Sequence, residues 1–220
     1  MKVTSASFLP DRPIPEQFAF GAPDPVLHIR LAANHNPHLK WSGAPAETRS
    51  FALICVDRDV PSTPDDVNKE GRVVPASLPR VAFYHWVMVD IPATTTEIAD
   101  GECSDGIVAG GKKELKGPKG SRQGVNDYTA WFADDSDMSG TYRGYDGPCP
   151  PWNDMRLHRY HFSVYALSCE RCAVEGDFTG PQVLDAIRRY VLAEATLTGT
   201  YTLNPGALNP GASNTAAPRS

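Results

Sequence analysis

A chain of 220 residues with 41% hydrophobic and 21% charged side chains has an ordinary globular balance and enough length for a full core. Its net charge of −5, from 21 basic and 26 acidic residues, excludes the whole-surface attraction that binders of nucleic acid or anionic lipid need. No apolar run approaches the ~20 residues of a membrane span, so neither a nucleic-acid partner nor membrane insertion is expected.

Met1-Lys2-Val3-Thr4-Ser5 is not followed by the apolar stretch of a secretory signal, and a cytoplasmic location is the default expectation. Leu27-His28-Ile29-Arg30-Leu31 alternates as a half-exposed strand does. Phe51-Ala52-Leu53-Ile54-Cys55-Val56 is a continuous apolar run, the pattern of a buried strand. Residues 61–83 carry four prolines and mixed charge and read as a long loop. His85 to Ile91 is a second apolar strand, stopped by Pro92, and a short helical turn is expected over Thr96 to Asp100. Residues 109–156, rich in Gly, Asp and Lys, read as another long connection. Tyr160 to Leu167 and Leu197 to Leu203 read as strands.

A helix over 179–195 is expected between those last two. Thr179 can cap it, Gln182 can complete a capping box, and Val183, Ile187, Tyr190 and Val191 recur at helical spacing. Many strands and one late helix argue for a mainly β, two-sheet antiparallel β-sandwich with a few peripheral helices. The folded domain is expected over 1–203. Residues 204–220 hold almost no core-forming side chains and are expected to form a flexible C-terminal tail. The five cysteines are scattered. Cys169-Glu170-Arg171-Cys172 has the spacing of a redox pair or half a zinc site, but no second ligand pair follows it, so plain thiols are expected.

Three fragments stand out for chemistry. Asp57-Arg58-Asp59-Val60-Pro61 follows a buried strand, and its two carboxylates share a face if the strand geometry continues. His85-Trp86 opens another strand. Gly147-Pro148-Cys149-Pro150-Pro151 precedes His158-Arg159-Tyr160, where His158 and Tyr160 share a strand face. Each fragment alone is weak: paired aspartates more often end a strand, and a histidine beside a tryptophan is more often a core residue.

In this order the fragments resemble the phosphatidylethanolamine-binding protein family, in its bacterial, Raf kinase inhibitor-like branch. Leu39-Lys40-Trp41-Ser42-Gly43-Ala44-Pro45 and Asn126-Asp127-Tyr128 resemble further segments of that family, as does Leu192 to Tyr201. The resemblance runs over residues 3–203. It implies a two-sheet β fold with a cavity for phosphate, phosphorylethanolamine or a similar headgroup. Carried over residue by residue, Asp57, His85, His158 and Tyr160 bind the ligand. Asp59, Pro61, Trp86, Gly147, Pro148, Cys149 and Pro150 form the wall, with Pro61 the candidate for a cis peptide bond. The resemblance also suggests a homodimer.

The chemistry agrees with that role. Two imidazoles and a phenol can donate hydrogen bonds to anionic oxygens, backbone N–H groups of the Gly-Pro-Cys turn can supplement them, and an aspartate can accept from an ammonium. No metal and no cofactor is expected. The sequence departs from the family pattern at Arg58, Val60 and Arg156, and in the length of the connection from Ser62 to Phe83. Three functions stay open. The first is a binding protein for a small anionic or zwitterionic phospho-ligand. The second is a hydrolase of small esters using the Asp/His pocket, although no nucleophile is evident and catalysis is not assured. The third is a protein-interaction regulator of kinase-inhibitor type.

Overall fold

The computed structural model describes residues 1–118 and 120–207. Of the expected tail, Asn204 to Ala207 are described, and 208–220 lie outside the described residues. The fold is mainly β, with antiparallel sheets and few helices. Its strands are β1 (Lys2–Thr4), β2 (Gly21–Asp24), β3 (His28–Leu31), β4 (Leu39–Ser42), β5 (Ser50–Pro61), β6 (Arg80–Pro92), β7 (Glu97–Ile98), β8 (Arg122–Gln123), β9 (His158–Leu167) and β10 (Val191–Tyr201). A 3-10 turn over Glu16–Phe18 and two α-helices, α1 (Tyr128–Trp131) and α2 (Gly180–Ile187), complete it. The main sheet has the order β10-β9-β5-β6-β8, a second has the order β1-β4-β7, and β2 pairs with β3. No helix among the described residues is long and apolar enough to cross a membrane.

The central strand β5 and the inner part of β6 are buried on both faces, which is why they read as continuous apolar runs. Along β5, Phe51, Leu53 and Cys55 enter the core shared with Val3, Leu39, Trp41 and Ile98 of the second sheet. Ala52, Ile54 and Val56 face the other way, under Val183 and Ile187 of α2 and Phe178 just before it.

The helix expected over 179–195 is shorter. Its start is as expected, with Thr179 and Gln182 forming a capping box and Pro181 in the first turn. It stops at Ile187, and Val191 to Tyr201 is strand. Leu192-Ala193-Glu194-Ala195 has good helix propensity, but pairing of Ala193 with Ala166 and Ala195 with Val164 completes the sheet and prevails. The helical turn expected over Thr96 to Asp100 is instead β7, whose Ile98 is buried against Leu39 of β4. Helix α1 lies inside the connection read as loop. None of the described peptide bonds is cis, so Pro61 is trans at the end of β5.

Two irregularities in the pairing of β5 with β6 shape one end of the sheet. The register passes from Cys55↔Trp86 to Val56↔Tyr84, leaving His85 without a cross-strand partner. It then passes from Asp57↔Phe83 to Val60↔Val81, which places one extra residue on β5. Such bulges bend a strand and re-aim its side chains.

Phe162 is fully buried where the two sheets meet, with its ring 5.7 Å from Phe8 and 6.5 Å from Tyr145. Phe162→Ala is expected to cost about 3–5 kcal/mol in urea unfolding. A loss below about 1 kcal/mol would show that this ring does not tie the sheets together.

Candidate functional site

The bulged end of the main sheet floors a cavity of about 450 Å³. Asp57 on β5, His85 on β6, and His158 and Tyr160 on β9 all line it. The bulge explains His85. In a regular strand it would point away from Trp86, toward the α2 side where Val87 and Val89 lie. With the extra residue it faces the cavity together with Phe83. The rings of His85 and Tyr160 meet edge to face at 5.1 Å.

Beneath the floor runs a chain of buried charges. His158 Nδ1 lies 2.6 Å from Asp57 Oδ2, and His158 Nε2 lies 3.0 Å from Asp154 Oδ2. Arg80 in turn forks onto both oxygens of Asp154. Burial pushes the His158 imidazole down, but the charge of Asp57 and the hydrogen bonds to Asp154 and Asp57 outweigh it and hold the pKa at about 9. Burial pushes Asp154 up, and hydrogen bonds from His158 and Arg80 carry it below the usual carboxylate value. Asp59 behaves likewise: burial raises it, and Arg159 and Arg156 bring it down.

The expectation that both imidazoles donate to a ligand is therefore corrected. Both ring nitrogens of His158 face carboxylates, so each donates its proton to the protein. His85 differs. Its Nδ1–H donates to the backbone carbonyl of Asp146 at 2.8 Å, which leaves Nε2 with a lone pair in the neutral ring. Burial lowers its pKa, more than offsetting the attraction of Asp57. The Tyr160 hydroxyl has no hydrogen bond to another described residue, and burial keeps it protonated.

The expected wall residues divide. Pro61, Cys149 and Pro150 line the cavity. Trp86 does not; it sits in the inter-sheet core, with its indole N–H on Gln123 Oε1 at 2.8 Å. Asp59 does not either. The extra residue on β5 ends the face it would share with Asp57, and its carboxylate accepts from Arg156 and Arg159 behind the floor. Gly147 and Pro148 form a layer behind the lining. Gly147 packs so close to Phe18 that a Cβ would stand 2.1 Å from the Phe18 carbonyl oxygen. Its N–H is already taken by Asn34 Oδ1, so this donor of the turn is not open to a ligand. Arg58 is exposed.

Several residues that build the site carry no local sequence signal. Asp154 and Arg80, 74 positions apart, meet behind the floor. Asp146 takes its hydrogen bonds from Asn34, Asn126 and Lys112 while its backbone holds His85. Arg156, which stands where the family pattern has glycine, is the partner of Asp59. The connection after β5 supplies Thr63, Pro64, Val67 and Asn68 to the cavity. Asn153 clasps it, its side-chain amide donating to the carbonyls of Asp66, Lys69 and Arg72 and its oxygen accepting from the Asn68 N–H. The rest of the wall is aromatic and aliphatic, led by Phe20, Phe83, Tyr128, Trp131 and Phe132.

Known proteins resemble this chain in sequence and fold. A family model described as Phosphatidylethanolamine-binding protein matches residues 4–202. The UPF0098 protein YbcL of Escherichia coli is 31% identical over 170 residues, covering 77% of this chain and 73% of YbcL. A UPF0098 protein of Methanothermobacter thermautotrophicus is 34% identical over 168 residues, covering 76% of this chain and 83% of its own. The crystal structure of E. coli YbcL, described as a new member of the mammalian PEBP family, matches with a TM-score of 0.64 at 27% identity, covering 91% of this chain and 97% of that one.

The His158 pKa of about 9 lies above the ordinary value of 6.5, so the stability it contributes is complete below about pH 6.5 and is lost as pH rises through the folded value. Urea unfolding is expected to lose about 2 kcal/mol between about pH 6.5 and about pH 8.5. In Asp154→Asn, which removes one carboxylate and so lowers the folded value, the decline should be smaller and should end at lower pH. A flat wild-type profile over that interval would contradict the charged clamp.

Proposed function

The chain belongs to the phosphatidylethanolamine-binding protein family, and we propose that it is a binding protein for a small phosphate-bearing ligand. The observation that carries this reading is the division of labour on the cavity floor. Asp57 and His158 are satisfied by protein partners. His85 Nε2 and the Tyr160 hydroxyl are left open at the end of a cavity large enough for an organic phosphate.

A phosphate oxygen accepts from the Tyr160 O–H, and a second shares a proton with His85 Nε2. That proton comes either with a singly protonated phosphate or by protonation of the imidazole. Both routes take up a proton relative to the doubly ionised phosphate, so affinity rises as pH falls. The Asp57 charge beneath is offset by the His158 cation against it.

The hydrolase alternative has less support. Cys149, the one cysteine lining the cavity, is pushed up by burial to about 12, so at neutral pH it is an unreactive thiol.

Titration with inorganic phosphate at about pH 6, followed by NMR, tests the reading against the ordinary His range. The His85 ring signals should move and saturate while those of His158 stay in place, and binding should weaken toward pH 8. His85→Ala should weaken it about tenfold or more, the effect of losing a hydrogen bond to a charged group. Undiminished binding in His85→Ala, or no saturable binding in the wild type, would refute it.

A further inference from the structure

We propose that Cys169 and Cys172 form a dithiol–disulfide couple, a modification site that reacts with a small disulfide such as oxidised glutathione. The pair lies away from the cavity, at the opposite end of the main sheet, where β5 begins at Ser50 and β9 ends at Leu167.

The Cys-Glu-Arg-Cys spacing by itself fits a redox pair, half a metal site or two plain thiols. Among the described residues, no group of three or more His, Cys, Asp or Glu side chains could hold a metal ion, so the metal reading has no further ligands. Both cysteines are free thiols here. Both also pack on one apolar cluster, formed with Ala52, Ile54, Leu167 and Phe178: Cys172 is buried inside it and Cys169 lies at its margin.

The bend that carries them is pinned on both sides. The Ser168 N–H donates to the Tyr190 carbonyl at 2.9 Å, and the Cys169 carbonyl accepts from the Ser50 hydroxyl at 2.6 Å. The Cys172 N–H donates to Asp90 Oδ1 at 2.7 Å, and its carbonyl accepts from Arg122 at 2.9 Å. Three strands, β5, β6 and β8, thus hold one short bend. Two thiols three positions apart on a fixed backbone give up little further conformational freedom when they join.

The two thiols have unequal roles. Burial pushes the Cys172 pKa up to about 11, with the charges of Asp90 and of a Cys169 thiolate adding to it, so the two sulfurs feel each other. Burial raises Cys169 too, but solvent still reaches it. A disulfide-exchange catalyst needs a lowered thiol pKa. With both values raised, this couple closes slowly and faster at higher pH. Cys169, as thiolate, attacks one sulfur of oxidised glutathione; a mixed disulfide forms and one glutathione thiolate leaves. Cys172, once deprotonated, attacks Cys169 Sγ; the Cys169–Cys172 bond forms and the second glutathione thiolate leaves. The pair loses two electrons and two protons, and the oxidant takes them up as two thiols.

Oxidation of the whole chain with excess oxidised glutathione at about pH 8.5, the ordinary Cys value, tests the inference. After removal of the oxidant, the thiols counted in denaturant should fall from five to three, with Cys55, Cys103 and Cys149 retained. No glutathione should remain on the protein. Trypsin, which cuts after Arg171, should release the Cys169 and Cys172 peptides still joined by a disulfide. Cys172→Ser, lacking the second thiol, should instead keep one glutathione on Cys169. Five thiols left in the wild type, a lasting glutathione adduct on wild-type Cys169, or a disulfide to any other cysteine would overturn the proposal. Should Cys172→Ser fail to fold, the wild-type thiol count and peptide map decide alone.

Discussion

A buried imidazole cannot stay charged unless its surroundings return what water gave it. At His158 two carboxylates do so, one on each ring nitrogen, and Arg80 neutralises the farther of them. The remainder of the site depends on this clamp. It ties β5 to β9 through Asp57, ties both to the segment after the Gly-Pro-Cys-Pro-Pro turn through Asp154, and reaches the head of β6 through Arg80. Arg80 also donates to the carbonyls of Pro75 and Leu78, so the same network anchors the end of the connection that roofs part of the cavity. Buried ion pairs often contribute little net stability. Here their consequence is positional: with Asp57 and His158 committed to the protein, His85 is the imidazole that meets the cavity with a ring nitrogen unpaired.

The site therefore separates rigid charge from available chemistry. Asp57 and His158 meet the cavity but are paired with the protein; beside them lie a neutral imidazole nitrogen and a phenol; above lies an aromatic wall. His85 occupies its place because β6 carries an unpaired residue there, and it keeps its tautomer because the Asp146 carbonyl can only accept. Asp146 is itself held by Asn34, Asn126 and Lys112, so chain segments far apart in sequence set the direction of one lone pair.

Much of this plan was legible in the sequence where the signal was local or periodic. The unbroken run Phe51 to Val56 marked a strand covered on both faces, and Thr179 with Gln182 marked a helix start. The spacing of His158 and Tyr160 placed both on one strand face. What was not legible required non-local pairing. Nothing in His85-Trp86 announces a bulge, and the family resemblance placed the tryptophan in the pocket wall, whereas it sits in the inter-sheet core. Asp57 and Asp59 looked like a matched pair, but the inserted residue on β5 and the pull of Arg156 and Arg159 turned Asp59 behind the floor. Leu192 to Ala195 favours helix locally, whereas its partners on β9 decide for strand. Asp154 and Arg80 lie 74 positions apart and meet only in the folded chain.

Nitrogen-resolved NMR of the histidine rings at neutral pH tests the central claim most directly. The account predicts that both His158 ring nitrogens carry protons while His85 is neutral with its proton on Nδ1. A His158 ring found neutral, with one nitrogen unprotonated, would contradict the clamp.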